Sequence, residues 1–256
     1  MRLATVTKVV LTIEYDGTRY YGFQLQVELP TIQAELETAL RKLTGEKTRV
    51  MSASRTDTGV HARGQVVSFR TGSSLPVETF IKGLNHYLPD DIAVKASFRV
   101  DDSFDVRRNA ISREYKYYIL NNPIRSPLGR WFSYPVAGEL DVEAMNKACQ
   151  ALTGKHDFAS FGACSEMGEK STVRNIYMAG VEKKEDVVVF DVVAGSFLRH
   201  QVRNTVGALI RVGLGKITID DFGKMVGAET PGLAGPRAPS CGLCLIQVNY
   251  PSPLGA

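Results

Sequence analysis

Val173-Arg174-Asn175-Ile176-Tyr177-Met178-Ala179-Gly180-Val181-Glu182 and Val187-Val188-Val189-Phe190-Asp191-Val192-Val193-Ala194 are two runs rich in β-branched and aromatic residues. The polar tetrapeptide Lys183-Lys184-Glu185-Asp186 separates them. Such runs around a short polar turn read as a hairpin. Downstream, a helix is expected from Arg199 to Val212, with Gly213 as its stop. Thr218 and Asp221 have the Thr-x-x-acid spacing of a capping box, and Gly242–Tyr250 reads as the last strand. Upstream, Asp141 caps a helix running to Leu152-Thr153-Gly154.

The first third reads as strand, loop, helix, strand, strand, helix, strand. Val9–Tyr15 is a β-branched run closed by Asp16-Gly17. Thr31 caps a helix from Ile32 to Leu43, with Ile32, Leu36, Leu40 and Leu43 at helical spacing and Gly45 as the stop. Arg49–Ala53 and Gln65–Phe69 are expected strands around the loop Ser54–Gly64. A helix over Val77–His86 and a strand over Ile92–Val100 follow. Leu43-Thr44-Gly45 recurs as Leu152-Thr153-Gly154, with Ala39 and Ala148 also in step, a weak repeat that fits two related α/β halves. Strands gathered with fewer helices make the class α+β with mainly antiparallel sheets. The division expected is an N-terminal half over residues 1–107 and a C-terminal half over residues 108–256.

At 256 residues, 44% hydrophobic and 23% charged, the composition is that of an average globular chain, which argues against disordered and fibrous classes. A chain of this length buries roughly 70–75% of its unfolded surface and needs no staples. No apolar run reaches the ~18–20 residues of a transmembrane helix, and no apolar segment near the N-terminus precedes a small-residue cleavage site, so a cytoplasmic protein is expected. The 31 basic and 27 acidic residues leave +4, compatible with a nucleic-acid partner without proving one. Cys241 and Cys244 have metal or redox spacing, but Cys149 and Cys164 make a poor second ligand pair and the histidines are scattered. Cys244 sits inside a strand-like run, where a thiol is a small apolar filler. No metal site is expected.

Three polar stretches are candidates for chemistry. Ser54-Arg55-Thr56-Asp57-Thr58-Gly59-Val60-His61-Ala62 is the densest. Its plain reading is an Asx-turn between strands. The functional one is a loop presenting a carboxylate beside a cation and hydroxyl donors, neighbours that favour an ionised nucleophile. No adjacent acid completes a two-carboxylate pair. In Arg113-Glu114-Tyr115-Lys116-Tyr117-Tyr118, a strand would place Arg113, Tyr115 and Tyr117 on one face and Lys116 and Tyr118 on the other. That is either a stacking platform for nucleotides or half-buried packing. In Phe197–Asn204, helical spacing would align Arg199 with Arg203 above a stripe of Val202, Val206, Leu209 and Ile210. The alternatives there are a solvated basic face or an Arg203 leaning inward, which needs a carboxylate; Asp57 is its natural partner if the halves share a cleft.

Taken together, these stretches resemble the tRNA pseudouridine synthase A family nearly end to end. The likeness runs through Tyr15-Asp16-Gly17-Thr18, Tyr21-Gly22-Phe23-Gln24, Thr31-Ile32-Gln33, the Arg55–Ala62 run, Leu84-Asn85 and Leu88-Pro89. It continues in Phe104-Asp105-Val106-Arg107, Arg113–Tyr117, Gly154–Phe158, Thr172-Val173-Arg174, Val202-Arg203-Asn204 and Gly242–Leu245. Phe23 stands where the family commonly carries Trp; an aromatic is kept. The resemblance implies the pseudouridine synthase fold, two α/β halves meeting over a central basic cleft. It implies isomerisation of uridine to pseudouridine at positions 38, 39 and 40 of tRNA, with Asp57 as the catalytic carboxylate. Tyr115 matches the tyrosine packed on the target base, and Arg203 the arginine paired with the aspartate. Arg55 matches the residue holding the target nucleotide out of its stack; Arg199 is a further substrate-binding candidate. His61 is expected to orient the loop. Isomerisation needs no donor or redox step, so no cofactor and no metal are expected. The partners implied are tRNA and a second copy of the chain, without a membrane. The alternatives are the same chemistry at another RNA position and a non-catalytic tRNA-binding module.

Overall fold

A computed structural model describes residues 6–163 and 171–254. The chain forms two compact units, one running to Ile111 and taking in Leu245 onward, the other spanning Ser112–Cys244. Among the described residues no helix is long and apolar enough to cross a membrane.

The first unit comprises β1 (Thr7–Tyr15), α1 (Ile32–Thr44), β2 (Met51–Ser52), β3 (His61–Thr71), α2 (Val77–Tyr87) and β4 (Ile92–Val100). β1 pairs antiparallel with both β3 and β4, and the short β2 pairs antiparallel with β3. The Thr31 hydroxyl accepts the Ala34 N–H at the N-terminus of α1, and Gly45 ends the helix at φ 76°, a conformation glycine adopts without a Cβ penalty. Leu36 and Leu40 of α1 are fully buried. α2 contributes Phe80, whose ring meets Phe69 of β3 edge-on at 5.5 Å.

The second unit comprises β5 (Ser112–Leu120), β6 (Tyr134–Pro135), α3 (Val142–Cys149), β7 (Gly154–Asp157), β8 (Val173–Lys184), β9 (Val187–Ala194), α4 (Gln201–Gly213) and α5 (Ile219–Met225). β9 lies between β5 and β8 in antiparallel register, and β7 adds to β8. Only β6, against β5, runs parallel among the described pairs. Asn146 of α3 accepts the Val181 N–H of β8 through its side-chain carbonyl, tying helix to sheet. The chain then passes through β10 (Leu243–Asn249), whose residues from Leu245 belong to the first unit. A linear division at residue 107 therefore differs from the observed units, because the last strand returns to the sheet of the first.

The α+β class and antiparallel pairing stand, while several boundaries move. β8 continues to Lys184, leaving Glu185-Asp186 as a two-residue turn with Glu185 at φ 53°, as tight hairpins require. β3 begins at His61, so the loop before it is shorter than Ser54–Gly64 suggested. Gly64 is tolerated inside that strand because a Cβ there would fall 2.4 Å from the Ile246 carbonyl oxygen. α3 stops at Cys149 and the chain tightens into a 3-10 turn over Gln150–Leu152. The two Leu-Thr-Gly triplets differ as well: Gly45 caps a helix, whereas Gly154 opens a strand. The capping box at Thr218 and Asp221 forms as spaced.

Candidate active site

The loop between β2 and β3 is held on every side by groups of its own unit. At its base the buried Gln65 amide closes on Ser54, accepting the Ser54 N–H at 3.2 Å and donating to the Ser54 carbonyl at 2.7 Å. The Phe23 N–H donates to the Thr56 carbonyl at 3.1 Å, and the Thr56 hydroxyl is bonded to the Tyr15 hydroxyl at 2.8 Å. Val60 N–H closes a turn onto the Asp57 carbonyl at 3.1 Å, with Gly59 at φ 74° in the third position, where such turns favour glycine. Gly59 N–H reaches the Tyr20 carbonyl at 3.2 Å. The Tyr20 hydroxyl donates to Asp91 at 2.6 Å, and burial first, then this bond, raise its ionisation well above the usual tyrosine range.

The strand end Tyr15–Phe23 forms the backing of this loop, and its glycines are required by contact. A Cβ on Gly17 would lie 2.0 Å from the Val60 carbonyl oxygen; one on Gly22, at φ 90°, would lie 2.7 Å from that of Thr56. On this frame Arg55 is exposed and Asp57 half-exposed. His61 is 5% exposed and its Nδ1 lies 3.2 Å from the Gly17 amide nitrogen and 3.1 Å from Asp16 Oδ1, so it anchors the Asp16-Gly17 turn, in keeping with a structural role.

In the second unit, β5 alternates as read, with Arg113, Tyr115, Tyr117 and Ile119 buried. Tyr115 is 6% exposed and packs edge-on against Phe197 at 5.3 Å. Tyr117 is fully buried and donates to the Pro239 carbonyl at 2.8 Å; burial raises its pKa far above the normal range. Lys116 is bound to its cross-strand neighbour Asp191 at 2.8 Å, a pairing that raises its pKa. Packing therefore accounts for Tyr117 and an ion pair for Lys116, rather than a nucleotide platform.

α4 starts two residues later than its spacing suggested. His200 adopts φ 66° and Gln201 accepts the Leu198 N–H through its side-chain oxygen, which leaves Arg199 before the helix on an exposed turn. Arg199 and Arg203 therefore do not align on one helical face, because a left-handed residue intervenes that no periodicity encodes. The buried stripe of Val202, Val206, Leu209 and Ile210 is present. Arg203 donates through Nε to the Ala238 carbonyl at 2.9 Å, and its own carbonyl accepts the Ala238 N–H at 3.1 Å. Consecutive carbonyls, Ala238 and Pro239, thus receive Arg203 and Tyr117. This strap packs so closely that a Cβ on Gly207 would fall 2.1 Å from the Pro236 carbonyl oxygen.

The loop holding Asp57 and Arg55 belongs to the first unit; Tyr115, Arg199 and Arg203 belong to the second. The sequence reading missed Gln65 as the clasp of the loop, Phe197 against Tyr115, and the carbonyls of the strap. Only Phe197 stood in a singled-out stretch; backbone acceptors leave no trace in residue type. Of the cysteines, Cys149 and Cys244 are buried, with the Cys149 thiol pushed up to about 11 by burial, and Cys241 contacts the Ser133 carbonyl; Cys164 lies outside the described residues.

Residues 11–107 and 148–251 match a family model described as tRNA pseudouridine synthase. A Pelobacter propionicus protein named tRNA pseudouridine synthase A is 42% identical over 242 residues, 94% of this chain and 99% of that protein. Proteins of the same name from Thermoanaerobacter and Myxococcus xanthus are also 42% identical, covering 94% and 95% of this chain and 99% and 92% of their own lengths.

Proposed function

Because the chain belongs to the tRNA pseudouridine synthase A family, we propose that it isomerises uridine to pseudouridine at positions 38, 39 and 40 in the anticodon arm of tRNA. Asp57 is the catalytic carboxylate of this reading. In the reaction the bond from uracil N1 to ribose C1′ breaks, the base turns over, and C5 bonds to C1′. The C5 hydrogen leaves as a proton and N1 gains one, so the product is an isomer. Tyr115 packs on the target base and assists removal of the C5 proton. Arg203 serves as the aspartate's cationic partner, Arg55 holds the extruded nucleotide, and Arg199 grips the substrate backbone. The enzyme works as a cytoplasmic homodimer.

The observation that supports this assignment is the rigidity of the Asp57 loop. Four segments, at Tyr15, Tyr20, Phe23 and Gln65, hold its backbone while Arg55 stays exposed and Asp57 half-exposed. A reacting group held in place before substrate arrives lowers the entropic part of the barrier. A base within an A-form stem must be extruded to react, at a cost of a few kcal/mol that phosphate-gripping cations offset, so steep salt dependence is expected.

The test is tritium release from [5-³H]uridine-labelled, unmodified tRNA, followed by mapping of the pseudouridines across all tRNAs. Release with product confined to positions 38–40 is the expected result. Product elsewhere moves the address, and tight binding without release leaves a binding module. Tyr115→Phe should keep tRNA affinity within about threefold and lower turnover of bound tRNA by about 10²-fold, the scale of a lost proton-transfer group. Unchanged turnover would leave Tyr115 a packing residue against Phe197. Arg203→Met should likewise depress turnover more than affinity; the opposite split would make Arg203 an RNA contact.

A further inference from the structure

A pocket of about 480 Å³ opens in the first unit, and none of the residues Ser54–Val60 lines it. That volume is in the range that holds a small ligand. Its polar lining is one-sided: Lys8, Arg49, Arg70, Arg107 and Arg108 against the single carboxylate of Asp105. Five cations less one anion leave +4, equal to the excess of the entire chain. Two further carboxylates stand nearby. Arg70 meets Asp102 at 2.7 Å with both side chains more than half exposed, and Arg49 meets Glu37 at 3.7 Å. Counting both still leaves +2, and exposed pairs of this kind are weak enough for an anion to displace.

The wall is built in advance. Lys8 donates to the Phe104 carbonyl at 2.8 Å, and Asp105 accepts the backbone N–H groups of Arg107 and Arg108 at 2.8 and 2.9 Å. These bonds hold the Asp105 carboxyl below the usual range and direct its charge into the turn. Arg49, Arg70, Arg107 and Arg108 are all exposed. Between the cations lies apolar surface, the half-buried Phe104, whose ring is backed by Tyr250 at 5.3 Å, and Met51, 60% exposed. Cations around an apolar floor match a phosphate with its base, as in sites for single-stranded nucleic acid.

We infer that this pocket is a second nucleotide site, taking a phosphate and the adjoining base of the RNA substrate outside the Asp57 loop. The inference depends on the proposed RNA substrate, and it makes the first unit grip the RNA at a point besides the target uridine. The test is the salt dependence of end-labelled tRNA binding, wild type beside the double variant Arg49→Gln, Arg108→Gln. The double variant should bind more weakly at low salt, and its slope of log K against log salt should be shallower by about two, one for each lost phosphate contact. The Arg49→Lys, Arg108→Lys pair should restore the slope, and matched thermal melts exclude a folding defect. An unchanged slope, with tritium released by wild type, overturns the pocket and leaves the isomerase reading standing. A shallower slope without release from wild type keeps the pocket and overturns the isomerase. Loss of uridine monophosphate binding with an unchanged tRNA slope overturns RNA as the occupant in favour of a free nucleotide.

Discussion

Asp57→Asn should abolish tritium release from labelled tRNA while tRNA binding stays within about threefold of wild type. The substitution removes the charge and changes almost nothing else, since the Asp57 backbone carbonyl still receives the Val60 N–H and the turn keeps Gly59 at φ 74°. Removing the group that attacks or drives bond cleavage costs on the order of 10⁴-fold or more, about 5.4 kcal/mol of transition-state stabilisation. Single-turnover release at saturating enzyme is the measurement. Release at an undiminished rate would remove Asp57 from the chemistry and leave its loop a binding element.

Gly22→Ala should lower kcat by about 10²-fold with little change in tRNA affinity, although residue 22 bears no reacting group. At φ 90° an alanine is strained, and its Cβ would sit 2.7 Å from the Thr56 carbonyl oxygen and 3.2 Å from the Asp57 carbonyl carbon. The neighbours are backbone of the loop itself, so relief displaces Asp57, and a misplacement of about 1 Å is enough for a loss of that size. Gly45→Ala separates strain from displacement. It has a similar positive φ of 76°, yet nothing lies within 4 Å of its Cβ. Both variants should melt lower by about 2–4 °C per kcal/mol lost, but only Gly22→Ala should lose turnover. Equal turnover in the two would show that the loop's position does not set the rate.

Much of the fold was readable because its signals are local. Thr31 and Gly45 bound α1 through a hydroxyl and a left-handed glycine, both of them properties of single residues. The alternation of Arg113, Tyr115 and Tyr117 on β5 follows from the period of two that any strand imposes. Ile92–Val100 needed nothing but its β-branched run. The boundaries that moved depended on partners distant in the chain. Gly64 looks like loop until the Ile246 backbone approaches it. Arg199 looks helical until His200 turns left-handed and Gln201 caps Leu198.

The same contrast holds for the candidate site. Residue type and spacing alone singled out Asp57, Arg55, Tyr115, Arg199 and Arg203, because chemistry needs particular side chains and the Arg-Thr-Asp-x-Gly-Val-His-Ala run is rare by chance. The sequence by itself therefore determined the class of the fold, the family and the reacting groups. Only the tertiary structure decided what holds them: Gln65 closing on Ser54, Gly17 and Gly22 admitting the loop backbone, and Arg203 clasped to Ala238. Those partners are main-chain atoms and missing side chains, 11 to 43 residues away in the chain, and a carbonyl oxygen or an absent Cβ is the same at every position until folding brings a neighbour against it.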